Sequence, residues 1–309
     1  MERYRKPTRR EKFFAEIDGV VPWHQLCEVT EPYYPKAGNG RPPVGLERML
    51  RIYLLQHWFN LSDPGAEEAL YESRSMYRFA GIDLRRELVP DETTILKFRH
   101  LLNKLRLGNQ LFQAVGEYLQ TQGMKVATGT IVDASIINAP SSTKNMDKQR
   151  DPEMHKTKKG NQWYFGMKAH IGVDSKTKII HSVAATPANV HDSQLLEDLL
   201  HGDETHIWGD SAYTGQGEDI QSAAPKAKDF TQAKGCRHKP LTEVDRLRNR
   251  IKSRVRAKVE HVFGVMKRVF GFTKVRYRGY VKNAHALFVL SALTNLYLVR
   301  RRLSCVAHV

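Results

Sequence analysis

The chain is poor in cysteine: 309 residues hold three, Cys27, Cys236 and Cys305, widely spaced and without a C-x-x-C pair. An odd, scattered set argues against a disulfide scaffold and a cysteine-rich zinc site, and fits a reducing compartment. The 13 histidines include no H-E-x-x-H or C₂H₂ spacing, so zinc is not expected. A G-x-x-x-x-G-K-[ST] loop is missing, which removes the usual signal for a nucleotide cofactor. Long apolar runs are missing too. The greasiest, "ALFVLSALTNLYLV" at 286–299, is short and interrupted for a membrane span and reads as a buried helix. The N-terminus "MERYRKPTRREKFF" is basic but has no apolar stretch of the signal-peptide kind. No membrane partner is expected.

Acidic residues are scarce in one region only. Residues 234–302 hold 19 Lys and Arg against three Asp and Glu, while the rest of the chain carries 30 of each. The net charge of +16 is therefore regional. A concentrated basic region favours a polyanion, and nucleic acid is the first candidate.

With 41% hydrophobic residues the chain can bury a core, and its length suits two domains. Residues 1–40 mix basic residues with "EPYYPKAGNGRPP", which has loop composition. From Gly45 the pattern turns helical: "LERMLRIYLLQHWFNL", then "SDPGAEEALYES" after a Ser-Asp-Pro break, "DETTILKFRHLLNKL" with Asp91 placed as N-cap, and "GNQLFQAVGEYLQTQG". Short helices and tight turns suit a helix-turn-helix DNA reader, and a generic bundle has the same signature. Residues 1–122 are expected to form this all-helical region. At Gly123 the grammar changes. "KVATGTIVDASII" is a β-rich run, "NQWYFGMKAHIGVD" and "IIHSVAAT" read as a hairpin, "NVHDSQLLEDLLHG" as a helix capped by Asp192 or Ser193, and "THIWGDSAY" as a short strand. The expected class is an α/β domain with a mixed sheet over residues 123–309. The polar stretch between the first two strands reads as one long loop.

Two carboxylates stand out on this map. Asp133 lies inside or at the end of an apolar strand, and Asp210 follows "IWG", where Gly209 allows close backbone approach. A third is Glu260, the single acid in "RVRAKVEHVFGVMKR", residues 254–268. At 100° per residue, Ser253, Arg256, Gly264 and Lys267 fall within about 40° of Glu260, on a stripe bordering an apolar face. Gly264 within a helix costs about 1 kcal/mol and leaves a gap suited to a ligand backbone. Each acid alone has an ordinary alternative: a strand-end cap, a turn acid, a salt-bridged helix acid. Together, two on strands and one on a helix match the hard-oxygen ligation of two Mg²⁺ ions acting on a phosphodiester. His191-Asp192 offers either a fourth ligand or a helix N-cap.

The segments "PYYPKAGNGRPP", "PDETTILKFRHLL", "GTIVDASIINAPSSTKN", "RDPEMHKTKKGNQWYFGMKAHIGVD", "ANVHD", "WGDSAY" and "RVRAKVEHVFGVMKRVFGF" together resemble the DDE transposases of bacterial insertion sequences, specifically the insertion-sequence-five family. The resemblance implies an RNase H-like core with Asp133, Asp210 and Glu260 as catalytic and metal-binding residues and two Mg²⁺ ions, for which Mn²⁺ could substitute. The family's signature of Tyr, two residues, Arg, three residues, Glu, six residues, Lys matches Arg256, Glu260 and Lys267, with Ser253 in the Tyr position. It further implies binding to double-stranded DNA at inverted repeats and at the target, a homodimer or higher oligomer, and a cytoplasmic, nucleoid-associated bacterial protein. The expected DNA-contacting residues are Arg256 and Lys267, Lys156, Lys158 and Lys159 in the long loop, and Arg276 and Arg278 in the aromatic-basic stretch "KVRYRGYVKNAH".

Overall fold

Apolar residues at helical spacing bury one side after another of the first region's helices. A computed structural model of the chain describes residues 5–39, 42–124, 126–146 and 148–306. The start of the basic N-terminus, two residues of the Pro/Gly-rich loop, Lys125 and Asp147 lie outside the described residues, as does the Cys305 side chain. The chain forms two compact units, Met1–Gln122 with Ala292–Val309, and Gly123–Ser291. The change of sequence grammar at Gly123 coincides with that boundary. The sequence reading carried the second region to residue 309, whereas residues 292–309 cluster with the first unit.

The first unit contains α1 (Arg9–Asp18), α2 (Trp23–Thr30), α3 (Leu46–Phe59), α4 (Asp63–Glu72), α5 (Arg74–Phe79), α6 (Glu92–Lys104) and α7 (Leu107–Thr121). Asp91 caps α6 as expected, accepting from the Thr94 N–H at 2.6 Å. Ser62 caps α4, which frees Asp63 for a fork with Arg99 at 2.6 and 3.1 Å. In the basic stretch ahead of the expected loop, α1 starts in a capping box: Thr8 Oγ1 accepts from the Glu11 N–H and the Glu11 carboxylate accepts from the Thr8 N–H. Phe14 then stacks on Phe79 at 4.7 Å and Phe13 meets Trp58 edge-on at 5.5 Å, contacts worth about 0.5–1.5 kcal/mol each beyond area burial.

The second unit is a six-stranded mixed sheet with helices. β1 (Gly129–Asn138), β2 (His155–Lys159), β3 (Gln162–Asp174), β4 (Ile180–Pro187), β5 (His206–Trp208), α8 (Gly217–Ala223), β6 (Lys228–Asp229) and α9 (Glu243–Gly264) follow in order. β3 pairs antiparallel with β1, β2 and β4, while β5 runs parallel to β1 and β6 parallel to β5. The path β4-β3-β1-β5-β6, three antiparallel strands followed by two parallel ones, is the RNase H-like arrangement that was expected. The expected single long loop contains β2, so Lys156, Lys158 and Lys159 lie on a strand. The expected helix from Asp192 is instead two short 3₁₀ turns, Asp192–Leu195 and Glu197–Leu199, capped by His191. The α9 helix passes at Gly264 into a π turn, Val265–Val269. The last helix, α10 (Tyr280–Val306), gives its first part to this unit and the rest to the first. Among the described residues no helix is long and apolar enough to cross a membrane.

Gly166 stands opposite Asn138 in the β1–β3 register, and a Cβ there would lie 2.1 Å from the Ile137 carbonyl oxygen. Backbone on both sides has no freedom to retreat. Gly166→Ala is expected to destabilise the protein by at least about 2 kcal/mol, read from urea unfolding. A variant within 0.5 kcal/mol of wild type (about the spread of surface substitutions) would show that the register is not so fixed.

Candidate active site

Successive side chains of β1 face opposite sides of the sheet. Val132 joins Leu196, Leu199, Ile207 and Tyr213 in a buried cluster. Asp133 faces the other way and is still 8% exposed. Its Oδ1 accepts from the Ala134 N–H at 2.9 Å and its Oδ2 from Arg256 Nη1 at 2.9 Å. Arg256 belongs to α9, where one helical turn later Glu260 lies with its Oε1 3.9 Å from Arg256 Nη2. A single guanidinium therefore spans two carboxylates. The Glu260 side chain is 64% exposed, so this second contact is weak on its own.

Asp210 comes into place through β5. Ile131 pairs with Trp208 in the parallel register, so two residues further along Asp210 reaches the level of Asp133. Its Oδ1 accepts from the Ala212 N–H at 2.8 Å and caps a 3₁₀ turn, Ser211–Tyr213. A Cβ on Gly209 would lie 3.0 Å from the Tyr213 ring and 3.2 Å from Val132, so glycine permits the close approach the sequence suggested.

Asp133, Asp210 and Glu260 line one cavity of about 370 Å³ with Arg256, Lys168 and Asp192. Lys158 and Lys159 line it as well, from β2. Lys156, on the same strand, is exposed and does not. Lys267 donates to Ser135 Oγ at 2.6 Å and the Ile136 carbonyl at 2.8 Å, stapling the π turn to β1 beside the cavity. Arg276 and Arg278 line a separate cavity of about 240 Å³ with Arg150 and Asp151. Ser253 accepts a hydrogen bond from Gln232 Nε2 at 2.6 Å, so it fastens α9 to the segment after β6. A Cβ at Gly264 would meet nothing within 4 Å, which leaves open space there.

Sequence reasoning missed Lys168, whose Nζ lies 2.8 Å from Asp192 Oδ1 and donates to the Val190 carbonyl. Its signal was the alternation of "GMKAH", which turns a lysine and the buried His170 to the same face of β3. Asp192 was weighed as ligand or cap. The cap is His191, and Asp192 turns to the cavity. Tyr213 also escaped notice: it is fully buried, and its hydroxyl has no hydrogen-bond partner among the described residues.

Burial pushes the Asp133 carboxyl up to about 7, with Asp210 and Glu260 adding to the shift and Arg256 and the Ala134 N–H opposing it. Burial also holds Tyr213 in its neutral form, reinforced by Asp192, Asp133 and Asp210, and lowers Lys267, with Lys159 adding to the effect. Four carboxylates and four cationic side chains line this cavity, and the Asp133 carboxylate is the charge that burial disfavours most. Among the described residues no three acidic, histidine or cysteine side chains are already drawn together around a point that would hold a metal. The donor set nevertheless fits a hard divalent cation, being all carboxylate oxygen, and Arg256 is the positive group now standing between two of its members.

A family model described as "Transposase DDE domain" matches residues 125–296, and one described as "Transposase domain (DUF772)" matches residues 2–101. Among solved structures the chain is similar to a piggyBac transposase in a synaptic complex with hairpin DNA. That likeness has a TM-score of 0.50 at 10% identity and covers 97% of this chain and 75% of the other, which supports the fold.

Asp133 provides a test of the site's electrostatics in metal-free protein. The folded chain releases this proton near pH 7 and the unfolded chain near 3.8, so the folded state binds more protons between them. Stability must therefore fall as pH rises through that window. Asp133→Asn should remove this fall, so its melting temperature gains on wild type as pH increases. Parallel pH profiles for the two proteins would contradict the assigned shift.

Proposed function

The chain belongs to the DDE transposase family, and from that premise we propose how its own residues divide the work. DDE transposases are metal-dependent enzymes that break and join DNA. In the proposed arrangement Asp133, Asp210 and Glu260 are the catalytic carboxylates, and the metal is Mg²⁺, replaceable by Mn²⁺. The observation that carries this reading is the convergence of three carboxylates, from β1, from the turn after β5 and from α9, on one cation-lined cavity. Asp133, Asp210 and Glu260 would hold the metal through their carboxylate oxygens. Bound divalent cations supply Lewis acidity to the attacking and leaving oxygens of the phosphodiester.

The chain's own groups position the DNA. Lys158, Lys159 and Lys168 form the positive wall that holds the phosphates on either side of the scissile bond. Arg256 holds Asp133 in place before DNA arrives and then grips a phosphate. Lys267 fixes the π turn to β1, so that Glu260 is presented from a rigid helix end. Lys156, Arg276 and Arg278 lie further out and serve as backbone contacts. The helical region, residues 1–122, reads the terminal inverted repeats of the element. Water is the first nucleophile at the element end, and the freed 3′-OH then attacks target DNA. Bringing two ends together calls for at least a dimer. In this reading the element is a bacterial insertion sequence of the insertion-sequence-five kind, supported by the sequence resemblance.

The test is incubation of the protein with Mg²⁺ and duplexes bearing the element's ends and a target. Nicked ends and joined products are expected, and Asp133→Asn, Asp210→Asn and Glu260→Gln should each lower cleavage at least about 100-fold while leaving duplex binding in place. Chelation should abolish cleavage and Mn²⁺ restore it. Full activity of Glu260→Gln would refute the site assignment, and cleavage without joined products would make the protein a nuclease.

A further inference from the structure

Four arginines of the first unit line an open groove of about 600 Å³: Arg5, Arg9, Arg10 and Arg74. We propose that this groove is a phosphate-backbone site for duplex DNA, which gives the helical region a defined contact face. The inference rests on the transposase reading and locates part of its DNA contact away from the carboxylates.

The groove is held rigid from beneath. Phe14 of α1 stacks on Phe79 of α5 and packs edge-on against Phe59 at 5.7 Å, which fixes the two arginine-bearing helices to each other. Arg10 lies over the Phe59 ring at 5.2 Å and donates to Ser73 Oγ at 3.1 Å, so its guanidinium is pre-oriented. Hydroxyls of Thr8, Ser73 and Ser75 sit among the arginines and add neutral donors. Two glutamates share the lining. Glu11 is engaged, capping α1 and pairing with Arg5 at 2.8 Å, and Arg5 and Arg74 both help to hold its carboxyl below the usual range, after the Thr8 backbone bond. Glu72 is exposed at the rim. Arg9 is exposed and has no hydrogen bond or ion pair among the described residues. Four positive groups against two negative ones, with a free guanidinium and hydroxyl donors, form the lining that successive phosphates of a nucleic acid backbone require. The groove is open, so the phosphate backbone along one side of a duplex can lie against it without being enclosed.

The experiment measures duplex binding by fluorescence anisotropy over a range of salt concentrations, with chelator present so that nothing is cut. The variants are Arg9→Gln and the triple Arg9→Gln, Arg10→Gln, Arg74→Gln. Each lost phosphate contact lowers the slope of log K against log salt by about 0.9. The single variant should lower it by about one and the triple by about two to three, with affinity down at least tenfold for the triple. Because Arg10 also packs on Phe59, melting curves accompany the binding data. If the triple variant does not fold, Arg9→Gln decides, since Arg9 supports nothing in the fold. An unchanged slope in a folded variant overturns the groove while leaving the transposase reading intact. A wild-type chain that binds no duplex overturns both.

Discussion

A carboxylate on a central strand, answered by a guanidinium 123 residues further along the chain, is the contact on which the second unit's chemistry depends. Asp133 is nearly buried, and burial alone makes its charge costly. Arg256 offsets that cost only because α9 lies across the sheet at β1. Removing Arg256 leaves a nearly buried carboxylate without its partner, which is the expensive case, whereas Arg256 is itself partly exposed and has Glu260 nearby. The site is thus destabilising to the resting fold and held in place by its surroundings, as perturbed groups at functional sites commonly are.

Those surroundings are ordinary structure used with little tolerance. The parallel pairing of β5 with β1 sets Asp210 level with Asp133, and glycine at 209 lets Tyr213 and Val132 pack beneath it without the tight contacts a Cβ would make. Lys267 and Ser253 fasten α9 and its π turn at two separate points, one on β1 and one on the segment after β6. Glu260 itself remains solvent-accessible between these anchors. The outcome is a deep, buried carboxylate, a backbone-capped one and an exposed one around the same space. They differ in how tightly they are held, and the exposed one is the most easily reoriented.

Much of this was legible in the residues. A charged side chain inside "TIVDASI" and another after "IWG" violate strand patterning, and both turn out to line the cavity. The wheel placed Arg256 and Glu260 together, and they are in contact. Lys267, on the same stripe of the wheel, is carried onto β1 by the π turn after Gly264 and stays within the electrostatic reach of Glu260. A helix wheel has no means of foreseeing a change of pitch. The α1 helix is announced by little more than "TRRE", a capping box set among basic residues with no strong apolar face beside it. The long polar stretch concealed β2 because its strand, "HKTKK", is a charged edge with no apolar alternation to announce it. Lys168 was legible only in its strand alternation: its role comes from a partner on a 3₁₀ turn that the sequence presented as a regular helix.

The division of α10 between the two units carries a consequence for biogenesis. The first unit has its other helices translated early, yet its Phe13 meets Tyr297 and its Glu16 pairs with Arg300, both supplied by the last helix. On the ribosome the early helices must wait, incompletely covered, through the synthesis of the whole sheet. The second unit, continuous from Gly123 to Ser291, is free to fold before them. Order of synthesis therefore does not dictate order of completion, since the second unit can be finished before the region that precedes it.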